Sequence, residues 1–199
     1  MIDPTCKPLI EAVRQALSSL KVVFTSEVKG EVAVLVPCAS IAHAMEHLRD
    51  HPLTAMNQLM DVCGVDYPDR LPRFEVAYQL LSLKHNWRLT VKVQTDEVTP
   101  VPSVTGVYPS AGWFEREVYD LFGIPFADHP DLRRILTDYG FEGHPLRRDF
   151  PLTGFTEVRY DDLHRQVVQE PVSLQQDYRA FDAMSPWQGL TDVQKRGRE

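Results

Sequence analysis

Between Arg73 and Val93 the chain alternates apolar and polar residues with period two in two successive runs, and this restricts the fold more than any other stretch. Phe74, Val76, Tyr78 and Leu80 alternate with Glu75, Ala77 and Gln79, and Leu89, Val91 and Val93 alternate with Arg88, Thr90 and Lys92. Successive side chains of a strand point to opposite faces, so each run predicts a strand with one apolar and one largely wet face. His85-Asn86 lies between them, where an antiparallel pair turns. A sheet wet on one face is covered by helices on the other face only. The pattern therefore predicts an α+β fold, a small and mostly antiparallel sheet with helices packed on one face.

The remaining elements fit that frame. Leu9, Ile10, Val13, Ala16, Leu17 and Leu20 recur at helical spacing and predict an amphipathic first helix. Val22–Phe24 and Val32–Val36 read as strands joined near Gly30. Ser40 is a candidate cap for a helix with Ile41, Ala44, Met45 and Leu48 on one face, stopped at His51-Pro52. Asn57 to Val62 reads as a strand and Asp66–Arg70 as a turn. After a proline-bearing connector over 96–105, a third helix starts around Tyr108–Ser110, takes its apolar surface from Trp113, Phe114, Val118, Leu121 and Phe122, and ends at Gly123. Residues 1–122 thus read as one α+β domain.

Beyond Gly123 the pattern changes. Prolines at 125, 130, 145 and 151 and glycines at 140, 143 and 154 exclude a long helix or a central strand, so 123–154 reads as an irregular arm. From 155 to 199 the apolar residues are thin and without period, yet Tyr160, Tyr178, Phe181 and Trp187 are among them. An extended C-terminal tail that cannot build its own core buries such aromatics against its parent domain or a partner chain.

Charge and motifs exclude several function classes. A net charge of −7 speaks against nucleic acid as a partner, because phosphate binding needs a clustered basic footprint. The run Lys195-Arg196-Gly197-Arg198 reads as a solvated terminus. Cys6, Cys38 and Cys63 are too far apart for a Cys-x-x-Cys metal site and fit a reducing compartment. No stretch of about 18 apolar residues is present, so membrane contact is expected only through a partner. The N-terminus places Asp3 and Pro4 where a signal peptide needs positive charge and an apolar run.

Candidate chemistry is equally thin. Glu115 and Glu117 diverge by about 200° on a helix and do not converge on one substrate. His43, His47 and His51 share a helix face without a carboxylate on it, and the His-Pro pairs at 129 and 144 keep no ligand spacing. No Gly-x-Gly-x-x-Gly, Walker-type loop or Gly-x-Ser-x-Gly elbow occurs. The spacing therefore assigns no catalytic, cofactor-binding or metal residue.

Ion pairing is what this segment offers instead. Arg116 and Asp120 are four apart on the predicted helix and can pair; Glu117 shares that face, so a further cation has to come from Arg133, Arg134, Arg147 or Arg148. Every basic residue between 113 and 152 other than histidine is an arginine, whose planar fork suits buried or interfacial carboxylates.

The run Glu115-Arg116-Glu117, Asp120-Leu121-Phe122, His129, Arg133, Ile135 and Leu136 resembles the signature of one family of subunits, the C component of respiratory complex I, the NADH-quinone oxidoreductase. Asp66-Tyr67-Pro68, Arg73–Val76, Pro102-Ser103-Val104, Glu157–Asp161 and Ser185-Pro186-Trp187 resemble further landmarks of that family, so the likeness spans nearly the whole chain. The resemblance implies a structural subunit without a cofactor, in an assembly that passes electrons from NADH through FMN and Fe-S clusters, held by other subunits, to quinone, coupled to proton translocation. It further implies the D component, which resembles a hydrogenase large chain, as the main neighbour, with the cluster-carrying B and I components close by, at the cytoplasmic face of a bacterial inner membrane. Glu115, Arg116, Glu117, Asp120, His129, Arg133, Arg134, Arg147 and Arg148 are then the signature and interface candidates. A related membrane-bound hydrogenase, formate hydrogenlyase or photosynthetic complex is the alternative setting for the same fold.

Overall fold

The two alternating runs form β4 (Phe74–Ser82) and β5 (Trp87–Thr95), antiparallel from Phe74↔Thr95 to Ser82↔Trp87. Their turn is closed by Asn86 at φ 51°, a left-handed conformation that asparagine tolerates. These strands lie inside a five-stranded sheet that also holds β1 (Val23–Val28), β2 (Glu31–Leu35) and β3 (Gln58–Asp66), in the order β1-β2-β5-β4-β3. All pairings are antiparallel except β2 with β5. The structure is a computed structural model and describes residues 6–28, 31–176 and 179.

The apolar face of the sheet and the helices share one core. Phe74, Val76, Tyr78, Leu80, Leu89, Val91 and Val93 are fully buried with residues of α1 (Lys7–Ala16), α2 (Ile41–Asp50) and α3 (Ala111–Phe122). On the other face Thr90 donates to Gln79 at 2.8 Å and Lys92 pairs with Glu75 at 2.8 Å, so the polar face satisfies itself. The connector after β5 carries β6 (Val101–Pro102), which pairs in parallel with β7 (Phe126–Ala127) just past α3.

Several elements differ from the sequence pattern. β3 runs four residues beyond the expected end at Val62. A glycine normally weakens a strand, but a Cβ at Gly64 would lie 2.6 Å from the Phe122 ring, so this glycine is where α3 presses onto the sheet. Ser40 forms no side-chain cap; a 3-10 turn over Cys38–Ser40 leads into α2 instead. The third helix starts at Ala111, after a turn over 108–110. Its burial follows the expectation only in part: Val118 is buried and Phe114 and Phe122 pack on the core, but Trp113 is 65% exposed, while Glu115, Arg116 and Asp120 are buried. Gly123, at φ 73°, ends it in the left-handed conformation.

The chain divides into two compact units, Met1–Gly154 and Phe155–Glu199. In the second, β8 (Thr156–Asp161) and β9 (Gln166–Pro171) form an antiparallel hairpin, in a segment whose sparse apolar residues predicted no strands. Tyr178, Phe181, Trp187 and the basic run 195–198 lie outside the described residues.

Candidate assembly site: α3 and the arm

A helix leaves the carbonyls of its last turn without partners, and here residues 130–150 supply them. His144 donates from Nδ1 to the Asp120 carbonyl at 2.9 Å, the Leu146 amide to Leu121 at 3.1 Å, and Arg147 from Nε to Phe122 at 2.6 Å. Gly123 makes this approach feasible, since a Cβ there would stand 2.5 Å from both the Arg147 guanidinium and the His144 ring. Burial, with Arg147 and Arg134 nearby, holds the His144 imidazole below its usual range.

The Asp120 carboxylate binds the rest of the arm. Oδ2 accepts the backbone N–H groups of Ile135, Leu136 and Thr137 at 3.1, 2.8 and 2.9 Å. Oδ1 accepts the Thr137 hydroxyl at 2.6 Å and Arg134 Nη1 at 3.3 Å. Burial alone would raise this acid; the Thr137 hydroxyl and the three amides outweigh it and hold it at about 2. The expected pairing of Arg116 with Asp120 does not form. Arg116 instead donates from Nε to the Arg133 carbonyl at 3.3 Å, lies 4.0 Å from Asp131 and 5.1 Å from the Trp113 ring centre. The cation from outside the helix is Arg134, because the chain that carries it also brings the amides that Asp120 needs.

Glu115 joins the helix to the connector. Its Oε1 accepts the Val104 amide at 2.8 Å and its Oε2 the Ser103 hydroxyl at 2.7 Å. Burial pushes this carboxyl up to about 7, only partly offset by those two donors. His129 accepts from the Asp131 amide at Nδ1 and donates from Nε2 to the Gly112 carbonyl, with Nε2 3.9 Å from Glu115. Glu117 lines a separate cleft with Cys63, Val118, Phe122 and Leu146. Burial and the Asp61 carboxylate push the Cys63 thiol up to about 11, far from the thiolate a nucleophile requires.

A second junction fixes the far end of the arm. Arg73 grips Asp66 with a two-pronged pair, 2.6 Å from Nε and 2.8 Å from Nη2, and the Arg148 amide donates to the same carboxylate at 2.9 Å. Arg73 also reaches Asp149 at 3.0 Å, and Glu97 lies 3.3 Å from Arg73 and 3.2 Å from Arg147. Both guanidiniums lie 5.1 Å from the Phe74 ring centre. Of the candidate arginines, Arg133 and Arg148 are exposed; the Arg133 side chain is 64% accessible while its Nε pairs with Asp131 at 2.9 Å.

Sequence reasoning did not find Thr137 or the bonding role of His144, and it saw Ser103 as a landmark without a role. Asp66 and Arg73 were visible as landmarks without a role. Among the described residues, no group of three or more His, Cys, Asp or Glu side chains is placed to hold a metal ion. His43 and His47 contact each other at 2.9 Å, while His51 accepts the Leu53 amide.

The region holding both junctions is also where the chain matches known proteins. Residues 34–156 match the model of the respiratory-chain NADH dehydrogenase, 30 Kd subunit. The chain belongs to this family. A relative from Paramagnetospirillum magneticum, the C component of its NADH-quinone oxidoreductase, is 60% identical over 185 residues, 92% of each chain. The protein of the same name from Xanthobacter autotrophicus is 53% identical and covers 96% of this chain and 91% of its own. An alignment of 185 residues must run past residue 156, so the likeness within the 30 Kd family reaches the hairpin. Among solved structures, a chain of the membrane-bound sulfane sulfur reductase, an archaeal respiratory membrane complex, shares the fold with a TM-score of 0.60 at 24% identity, over 72% of this chain and 85% of its own.

Proposed function

We propose that this chain is a structural subunit of a proton-translocating NADH-quinone oxidoreductase, in which it binds no cofactor and FMN and the Fe-S clusters belong to partner subunits. The observation that carries this reading is the near-full-length likeness, at 60% identity, to the C component of such an enzyme. The chemistry agrees. The buried charges of α3 are consumed by hydrogen bonds within the chain, Cys63 stays a thiol, and Glu115 and Glu117 face different surroundings.

What the chain offers outward is apolar. Leu136, Tyr139, Leu146 and Leu152 of the arm are 61, 97, 52 and 80% exposed, more than a surface facing only water usually collects in so short a segment. The proposal places these residues, with Arg133, against other subunits of the peripheral arm, chiefly the D component with B and I nearby. Among the described residues no helix is long and apolar enough to cross a membrane, so contact with the bilayer runs through the complex, on the cytoplasmic face of the bacterial inner membrane.

Affinity purification of the tagged chain from gently solubilised membranes tests this. Recovery of flavin, cluster and membrane subunits with inhibitor-sensitive NADH-quinone reductase activity is the expected result. Recovery of hydrogenase subunits, or of the chain alone, would refute it.

A further inference from the structure

α2 brings two imidazoles together on the side away from the core. Ile41, Ala44, Met45 and Leu48 are fully buried and fix the helix, which leaves His43 exposed and His47 half-buried, one turn apart. Their Nε2 atoms stand 2.9 Å apart, with the rings edge to face at 83° and their centroids at 4.2 Å. The spacing in the sequence puts both residues on one face, and the fold adds that their nitrogens converge. A hydrogen bond between the rings needs a proton on one nitrogen, whereas a metal ion takes the lone pairs of both. Two ligands are what the chain supplies here. Asp50 is held by Arg49 with bonds of 2.6 and 2.8 Å, and the Nδ1 of His51 accepts the Leu53 amide at 3.3 Å.

The distance between the nitrogens selects the ion. With metal–nitrogen bonds of about 2.0–2.1 Å, nitrogens 2.9 Å apart subtend about 90° at the metal. Tetrahedral zinc needs about 3.4 Å between its nitrogens, so the pair fits two neighbouring corners of a tetragonal or octahedral ion better. Imidazole suits such ions, and water can fill the corners that an exposed site leaves open. His47 also lies in the last turn of α2, at the negative end of the helix dipole, where a cation is favoured. Because packing already fixes the backbone of α2, chelation orders only two side chains and costs little entropy. We infer that His43 and His47 form a two-histidine chelating site for a divalent late transition ion, Cu2+ or Ni2+, completed by water. The inference does not rest on the proposed function, and the ion takes no part in that electron transfer.

Calorimetric titration of the purified, untagged full chain with Cu2+, Ni2+, Zn2+ and Mn2+ tests it. Binding of one ion per chain at this site is expected, with Cu2+ tighter than Ni2+ and Ni2+ tighter than Mn2+. His43→Ala and His47→Ala are each expected to weaken binding by about tenfold or more, at least the cost of losing a group that merely supports a metal ligand. His51→Ala and Cys63→Ser, which remove the next imidazole along the chain and the exposed thiol, are expected to bind as the wild type does. Electron paramagnetic resonance of the Cu2+ complex is expected to show coupling to two imidazole nitrogens, absent from the His43→Ala/His47→Ala double variant. Melting of the metal-free variants at the wild-type temperature shows that the loss is one of ligands and not of fold; glutamine at the same positions repeats the comparison for any alanine variant that melts early. No binding to the wild type, or wild-type affinity in the double variant, overturns the site. An equal loss in His51→Ala overturns the two-histidine ligand set, and Zn2+ bound more tightly than Cu2+ overturns the geometry.

Discussion

The knot of α3 and the arm and the hairpin β8–β9 share one reversal: in both, some carboxylates are better sheltered than apolar side chains beside them, Glu115 and Asp120 against Trp113 and Glu157, Asp161 and Glu170 against Val158 and Tyr160. They differ in what completes them. In the knot, Asp120 is fully buried and accepts five hydrogen bonds from residues 134–137 of the same chain. In the hairpin the charges pair locally, and every residue of the apolar face, the one that carries Val158, Tyr160 and Val167, is left to water. A buried carboxylate with donors converging on it orders the segment that carries the donors, whereas an exposed apolar face orders nothing until something covers it. The first is a part completed by the fold of its own chain; the second is a part whose apolar face that fold leaves open.

The largest expected effect on this contrast is at Asp120. Asp120→Ala leaves the amides of 135–137 and Arg134 without their shared acceptor, and the purified chain is expected to lose about 3–5 kcal/mol of stability in urea titration. Asp120→Asn, which keeps the shape and accepts through one oxygen, is expected to lose less. An Asp120→Ala chain of wild-type stability would mean that the arm is not held by this carboxylate and that the two regions do not differ in kind.

Next in size is a pH effect at Glu115. Its carboxyl titrates near 7 in the folded chain against an ordinary 4.5, so folding favours its protonated form. The stability it contributes is complete below about 4.5 and is lost as the pH rises to 7, a total of about 3 kcal/mol. Asp120 behaves oppositely: held at about 2 against 3.8, it contributes stability above its ordinary value that is lost as the pH falls through 2. Glu115→Gln keeps an acceptor for the Val104 amide without the titration. Urea titrations between pH 4.5 and 7 are expected to show the wild type losing stability relative to this variant; parallel curves would place Glu115 in a wet environment and remove it from the sheltered charges of the knot.

A smaller loss, about 1–3 kcal/mol, is expected for Gly123→Ala, which adds the left-handed penalty to contacts with Arg147 and His144. Thermal unfolding of the purified chain measures it. An unchanged midpoint would mean that the arm can withdraw from the end of α3 at little cost.

The sheet was legible because its information is local: strict alternation in β4 and β5 sets strand, face and turn together, and Gly123 marks the end of α3 by its lack of a side chain. The knot was not. Asp120 is satisfied mainly by backbone amides 15 to 17 residues away, and an amide leaves no residue type to read. Helix patterning also assumes that apolar residues face inward, and the arm inverts this by bringing polar backbone to the buried side of α3. For the hairpin, Val167 and Val168 fall on opposite faces, so the apolar run breaks the alternation that identified β4 and β5.

The smallest effect is expected where the contrast is sharpest. Arg159 and Glu170 form the best-aligned ion pair of the hairpin, yet both side chains are accessible, 55 and 36%. An exposed pair gains little over its hydrated partners and costs side-chain entropy to hold. Arg159→Ala is therefore expected to leave both thermal stability and incorporation into the enzyme unchanged, measured on the purified chain and on solubilised membranes. A loss of incorporation with no change in stability would put the charged face against another subunit of the enzyme, because only an interface would desolvate a guanidinium that water now reaches. A loss of stability without loss of incorporation would mean that the hairpin, like the knot, is completed by its own charges. The two regions would then be built on one plan.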